Sequence, residues 1–490
     1  MPWRDAVQPV RMDRVALVGP TDGLRDLLVR VADAGTVELD RVTPAGEASP
    51  GDAARRLQRL GAAKGTPARL AAVPPDLDEL ERDGRLDLIE GEAQLDDHLL
   101  CAVRRGTVGA LAGWMPSSAL PDLATDLEAA GCSVVRLPRP RGVDPPTMLP
   151  EQAAVGRSLS PLVQTYATVP YPDVDPTLLA SLAYVLMFGM MFGDVGHGAL
   201  LVLVAGYLAS PRSARRPLLG RVRKAWPFVL GGGVAAMGFG ALYGEFFGPT
   251  GVVPALWLHP LDEPIRLMAA AIGAGAVLLA GAYVLGTVNR HREGGWPLAL
   301  YASSGVAGGA LFLGLGAVSL GVFLGQDALA VAGVVVWLAG LVLAFIGLWA
   351  GAGGGAAGAA QATVELFDVV VRLASNLVSF ARLAAFGLTH AAIGALVWDG
   401  ASFFYSQGGA GVAAAVAVFL AGTALAFTLE VLVAAVQALR LAYYELFSRV
   451  FLVEGRPFRP WHVPTAPPPP TAPGPSGPRV PTAPTAEEVS

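Results

Sequence analysis

Long apolar runs crowd into one part of this chain. Between Leu178 and Phe451 about eight stretches reach the ~20 residues a bilayer-crossing helix needs, centred near Tyr184, Leu203, Gly233, Val277, Leu311, Trp337, Phe386 and Leu425. The first two form a tight pair around FGDVGHG and are shorter than the others. Residues 1–170 carry a different pattern. VALVG is a short β-type run, Leu24, Leu27, Leu28 and Val31 follow helical spacing, and Gly35 suits a helix stop. Strand, helix, strand is the expectation for Arg11–Leu39. A second α/β unit follows, with AVRRGTVGALAGWMP before the helix and strand of PDLATDLEAAGCSVVRLP. Between them, residues 52–97 are polar, helical in two pieces, and interrupted by Pro67, Pro74 and Pro75.

The predicted fold class is therefore mainly α: a polytopic membrane bundle of about eight transmembrane helices with a small cytoplasmic α/β N-terminal domain. The expected divisions are an α/β arm over 1–160 with a short coiled-coil region at 52–97, a linker over 161–176, and a transmembrane domain over 177–452. A Pro-rich tail, read as disordered, occupies 453–490, because TAPPPPTAPGPSGP cannot bury a core.

Composition agrees: 53% of the 490 residues are hydrophobic and 15% charged, against about 25% charged in globular chains. Charge also orients the bundle. SPRSARRPLLGRVRKAW carries six basic residues, NRHREGG two arginines, and the tail Arg449, Arg456 and Arg459. The links around GPTGVVPALWLHPLDEP, GQDAL and WDGASFFYSQGG hold no Lys or Arg. By the positive-inside rule both termini are cytoplasmic. No apolar signal-peptide core is visible at the start, and Cys101 and Cys132 lack metal-ligand spacing. GGGAAG at Gly353–Gly358 has no preceding strand and no P-loop motif occurs, so ATP chemistry and cofactors are not expected. Nothing points to nucleic acid.

Charges inside the apolar runs carry the functional signal, since a central charge costs roughly 2.5–3.5 kcal/mol to insert. On the seventh span Asp368, Arg372, Ser375, Ser379, Arg382 and Thr389 recur at helical steps, which predicts one stripe roughly 30 Å long. His390 lies beside its outer end. On the eighth, Thr423, Glu430, Gln437 and Tyr444 repeat every seven residues, with Arg440 three beyond Gln437. Two matching stripes describe the walls of a hydrated ion path. The bland alternative is a structural pair between Glu430 and one arginine, but the stripes exceed what one pair needs. Asp194 and His197 fall at the break between the first two spans, where helix capping or packing is favoured over proton transfer. Glu245 in LYGEFFG is expected at the outer interface, within reach of water.

Several of these segments resemble one family. MFGMMFGDVGHGALLVL, LYGEFFG, NRHREGG, ELFDVVVRLASNLVSFARLAAFGLTHAAI and LEVLVAAVQALRLAYYELFSRVFLVEGRPFRP are similar, in order, to the membrane subunit of V-type and V/A-type rotary ATPases. This is subunit a in eukaryotes and subunit I in prokaryotes (the 116 kDa subunit family). The resemblance covers most of 145–462. RMDRVALVG, GWMP and DPPTMLP also resemble the family's soluble arm, which is shorter here. It implies a non-catalytic stator in a bacterial cell membrane, with proteolipid ring subunits, peripheral stalk subunits and other V/A-ATPase subunits as partners. By resemblance Arg382 and Arg440 face the ring and separate two half-channels. Asp368, Ser375, Ser379 and Gln437 belong to the polar path, with the first three inward of Arg382. His390 and Glu430 line the outer path. A self-contained secondary transporter and a transport-inactive scaffold are the rival readings. A transporter would show internal repeats, and none is convincing here.

Overall fold

The computed structural model describes residues 9–40, 51–60, 67–140, 142–149, 168–213, 223–450 and 455–466. They fall into two compact units, one built on residues 10–146 together with the segment after Phe458, the other on residues 147–457.

In the first unit, β1 (Met12–Pro20) lies between β4 (Val108–Pro116) and β5 (Ser133–Leu137), with β2 (Glu38–Leu39) and β3 (Val103–Arg105) both pairing β4. Every pairing is antiparallel, with Leu17 opposite Leu111. Helix α1 (Leu24–Ala34) buries Leu24, Leu27, Leu28 and Val31, the predicted stripe. Gly35 ends it in a left-handed turn whose N–H reaches the Val31 carbonyl at 3.0 Å. Where a short coiled-coil region is expected, the described residues of 52–97 lie largely in three short helices, α2 (Asp52–Leu60), α3 (Leu77–Arg82) and α4 (Leu86–Leu100), around Ala53, Leu80 and Ile89. Arg56 on α2 reaches Glu81 on α3 at 3.0 Å. Helix α5 (Leu120–Glu128) completes the unit.

The start of the tail differs from its expected disorder. Phe458–Ala466 lies against this unit. Trp461 donates its backbone N–H to the Val37 carbonyl at 2.9 Å, and Val463 donates to Ala32 at 3.1 Å. Leu70 donates to Pro464, and Thr465 caps back onto Asp33. The reason is local: Trp461 and Val463 are alternate residues of an extended stretch, and Val463 is buried in the core. The tail's remainder, 467–490, lies outside the described residues, as does most of the basic link after the second span.

The second unit is an apolar helical bundle. Its helices are α6 (Thr177–Met191), α7 (Val195–Ala209), α8 (Trp226–Tyr243), α9 (Pro264–Tyr301), α10 (Val306–Leu324), α11 (Asp327–Gly351), α12 (Gly355–Ser379), α13 (Ala381–Ser406) and α14 (Ala410–Leu441). All eight predicted centres fall inside helices. Among the described residues six segments are long and apolar enough to cross a membrane, with α12–α13 and α14 plus its extension to Val450 counted as one each. Helices α6 and α7 are shorter, at 15 residues each, or roughly 22 Å against a ~30 Å hydrocarbon core. Most of the NRHREGG link is helical: α9 continues to Gly294, and Gly295, at φ 72° and ψ −165°, breaks it before a second helical stretch that ends at Tyr301. Helices α10 and α11 pack backbone to backbone. A Cβ added at Gly314 would lie 2.5 Å from the Trp337 nitrogen, and one at Gly340 2.7 Å from the Leu311 nitrogen. Small residues at such contacts let membrane helices approach closely.

The seventh span is divided. Phe380 separates α12 from α13, and two tightened contacts flank it, Phe380 N–H to Leu377 and Leu383 N–H to Phe380. Such i→i+3 turns within a helix often mark a hinge. The predicted continuous stripe is therefore shared: Asp368, Arg372, Ser375 and Ser379 on α12, Arg382 and Thr389 on α13.

Candidate functional site

Two polar clusters lie along the seam of α13 and α14. The first begins with Asp194, which is fully buried and caps α7. Its Oδ1 accepts the His197 backbone N–H at 2.8 Å, and its Oδ2 accepts that of Gly248 at 3.0 Å. Asp194 thus caps the start of α7, and Gly248 is a second anchor. The loop after α8 carries that anchor in a strained shape, with Phe247 at φ 50° and Gly248 at φ 96°. Left-handed backbone at a bulky residue needs a surrounding that fixes it. Here Phe247 lies against Gly196, and the Val195 N–H reaches the Glu245 carbonyl at 3.0 Å.

His390 on α13 approaches the same carboxylate, its Nε2 standing 4.0 Å from Asp194 Oδ2. Its Nδ1 is hydrogen-bonded to Glu430 on α14. Glu430 thus pairs with a histidine rather than with an arginine, so the simple Glu–Arg pair is not the arrangement found. The His197 ring lies 5.5 Å from that of His390, centroid to centroid. Phe192, Phe247 and Phe427 close around the two imidazoles at 5.0–5.6 Å. Glu245 is 3% exposed. It is therefore a buried carboxylate and not an interfacial one, because the loop folds back over α7 instead of projecting outward. Asp194, His197, His390 and Glu430 come together here, although the sequence kept the first two apart from the last two. No periodicity could join residues from a loop and three helices.

The second cluster lies at the α12–α13 turn. Arg382 is half-buried, and one of its terminal nitrogens is enclosed with no hydrogen-bond partner. Arg440 is exposed on α14, and Gln437 one turn earlier has a buried unpartnered carbonyl oxygen. The chain then widens into a π-helical turn, Ala442–Phe447, a distortion frequent at functional sites. That turn buries Glu445 beside the Ser379 hydroxyl and within electrostatic reach of Arg382, Arg440 and Arg449. With its amide oriented to suit its neighbours, Asn376 accepts from Arg449 at 2.9 Å. Glu445, Asn376 and Arg449 escaped sequence reasoning. Glu445 sits five residues beyond Arg440, off the seven-residue repeat, and the π turn brings it back to the arginines. Asp368 pairs with Arg372 on its own helix and is exposed, as is Ser375. These two stand apart from the arginine cluster.

Such a seam can hold fixed positive charge at one level and exchange protons through imidazole and carboxylate at another. Arginine keeps its proton under all ordinary conditions, whereas histidine exchanges its own readily.

Residues 99–249 match the V-type ATPase 116kDa subunit family. The A-type ATP synthase subunit I of Halobacterium salinarum is 28% identical over 386 residues, 65% of this chain and 51% of that protein. That of Archaeoglobus fulgidus is 33% identical over 150 residues, 29% of this chain and 20% of its own length. The V-type ATP synthase subunit I 2 of Treponema pallidum is 35% identical over 146 residues, 28% of this chain and 32% of that protein. In the longer alignments the chain spans about half the length of the curated relatives it matches. The matched stretch includes FGDVGHG and LYGEFFG, so this multi-helix membrane chain is similar to the V-type ATPase 116kDa subunit family there, as the membrane motifs suggest.

Proposed function

We propose that this chain is the non-catalytic membrane stator of a V/A-type rotary ATPase. In this reading it forms two proton half-channels and the arginine barrier between them, with both termini in the cytoplasm. The observation that carries the proposal is the separation of charge along the α13–α14 seam. His390 lies eight residues beyond Arg382 on α13, and Glu430 ten before Arg440 on α14, or roughly 12 and 15 Å along the helix axes. A proton-exchanging pair and a permanently charged pair thus occupy different depths of one seam.

Carboxylates on a turning ring of partner subunits must be neutral while they face lipid, because an isolated buried anion is too costly. Beside Arg382 and Arg440 the ionised form is favoured, since an opposite charge lowers a carboxyl pKa. A ring carboxylate therefore releases its proton on reaching the arginines and takes another after passing them. The fixed cations also bar a proton from running straight along the seam. His390 and Glu430 serve the outer path. Ser379, Gln437 and Glu445 lie beside the arginines, with Asp368 and Ser375 toward the inner mouth. Peripheral stalk subunits would hold the N-terminal unit against the torque.

Affinity purification from native membranes tests the assignment. A proteolipid ring subunit and nucleotide-hydrolysing subunits should copurify in fixed proportion. A chain that purifies alone and still moves an ion after reconstitution would establish the secondary-transporter reading instead.

A further inference from the structure

The cluster around Asp194 and His390 holds more donor atoms than its hydrogen bonds use. One donor atom each from Asp194, His197 and His390 lies within 4.8 Å of the others, and all three residues are buried. His197 is 4% exposed, yet neither ring nitrogen has a partner. Its Nδ1 stands 3.6 Å from Asp194 Oδ1. Buried polar atoms are normally satisfied, and an imidazole with both nitrogens idle, facing a carboxylate and a second imidazole, is a lone-pair donor without an acceptor. We propose that Asp194, His197 and His390 form a binding site for a divalent transition-metal ion of the zinc class.

Three features support a built site. Asp194 is fixed by two backbone N–H groups, each leaving a lone pair on its oxygen. His390 has Nδ1 held by Glu430 and Nε2 turned toward Asp194, the carboxylate–histidine arrangement that orients metal-bound imidazoles. The second Glu430 oxygen is buried and unpartnered, so the glutamate can back the histidine or complete a fourth position. Two imidazole nitrogens with carboxylate oxygen suit zinc, cobalt, nickel or copper rather than magnesium or calcium, which take oxygen ligands. Charge agrees as well. Asp194 and Glu430 together neutralise a doubly charged cation in surroundings walled by Phe192, Phe247 and Phe427. Zinc–ligand bonds of about 2.0–2.2 Å require the donors to draw in by roughly an ångström, which side-chain rotation supplies.

Binding does not depend on the stator reading. Its consequence does: an ion here would occupy His390 and withdraw it from the outer proton path.

The test is zinc titration of the purified full-length chain against a chromogenic chelator, with X-ray absorption at the zinc edge. One saturable zinc per chain is expected, with nitrogen and oxygen neighbours and two imidazoles. Magnesium in large excess should not compete. His197→Gln should weaken binding at least 100-fold, and Glu430→Gln about 10- to 100-fold through loss of the orienting carboxylate. Absence of saturable binding, or a sulfur-containing shell from Cys101 or Cys132, would overturn the site. So would unchanged affinity in His197→Gln. Should that variant not fold, the wild-type absorption spectrum decides alone.

Discussion

Gly248 holds its backbone at φ 96°, and a Cβ there would come within 2.9 Å of the Gly394 carbonyl oxygen on α13. Its N–H is one of the two donors that fix Asp194. Gly248→Ala therefore combines left-handed strain with a backbone clash, and should destabilise the bundle by about 1–3 kcal/mol. A thermal melt in detergent checks this, and an unchanged Tm would contradict it. Glu430→Gln makes a milder change, since an amide can still bond His390 but carries no charge. ATP-driven proton transport should fall at least tenfold, about 1.4 kcal/mol of barrier, with assembly retained. Vesicle acidification at the wild-type rate would remove Glu430 from the path. Asp173, which precedes the first apolar helix, offers a pH signature. Burial, then the neighbouring Glu293 carboxyl, pushes it up to about 7 despite the opposing Arg290 and Arg292. A raised carboxyl pKa means that the folded state holds the extra proton between the unfolded value and about 7, so stability falls as pH rises through that window. Relative to Asp173→Asn, the native chain should lose Tm between about pH 4 and about 7 and level off above that, and a constant offset would contradict this. At this scale the sequence exposed which charges were costly but not their partners. Glu430 was legible as an intramembrane carboxylate, while its bond to His390 required two helices to be placed.

The turn at Phe380 decides how the α12–α13 element presents its arginine. Phe380 is fully buried, and a Cβ on Gly275 of α9 would lie 2.1 Å from its ring carbon Cγ. The glycine is thus the space into which the aromatic ring fits. Gly275→Ala overpacks that contact, an error worth about 1–3 kcal/mol, and should shift α13 and with it Arg382. Pumping and Tm should both drop. Phe380→Leu in the same chain should recover part of each, because contacting residues are not additive. Independent effects in the double-mutant cycle would show that the contact does not set the turn. Helical spacing revealed the stripe from Asp368 to Thr389 but not its division, because Ser379-Phe380-Ala381 carries no proline or glycine. Tertiary packing against α9 makes that break. The π turn at Ala442–Phe447 was hidden for the same reason, and Glu445 with it.

For the whole molecule, apolar run length placed a centre in every described helix of the bundle except α12. It did not report that α9 continues into NRHREGG and breaks only at Gly295, or that Trp461 and Val463 dock on the N-terminal unit beside Ala32 and Val37. Length and hydropathy measure whether a segment can cross a membrane, whereas these features depend on what lies beside it. The central claim concerns the assembled machine, in which Arg382 is the fixed charge that a moving carboxylate must pass. Arg382→Ala deletes that charge without leaving an unpaired anion of its own. The most direct measurement is ATP-driven acidification of membrane vesicles carrying this variant, with assembly checked by copurification. The account predicts an intact complex that hydrolyses ATP but builds no proton gradient. An assembled Arg382→Ala complex pumping at the wild-type rate would contradict it.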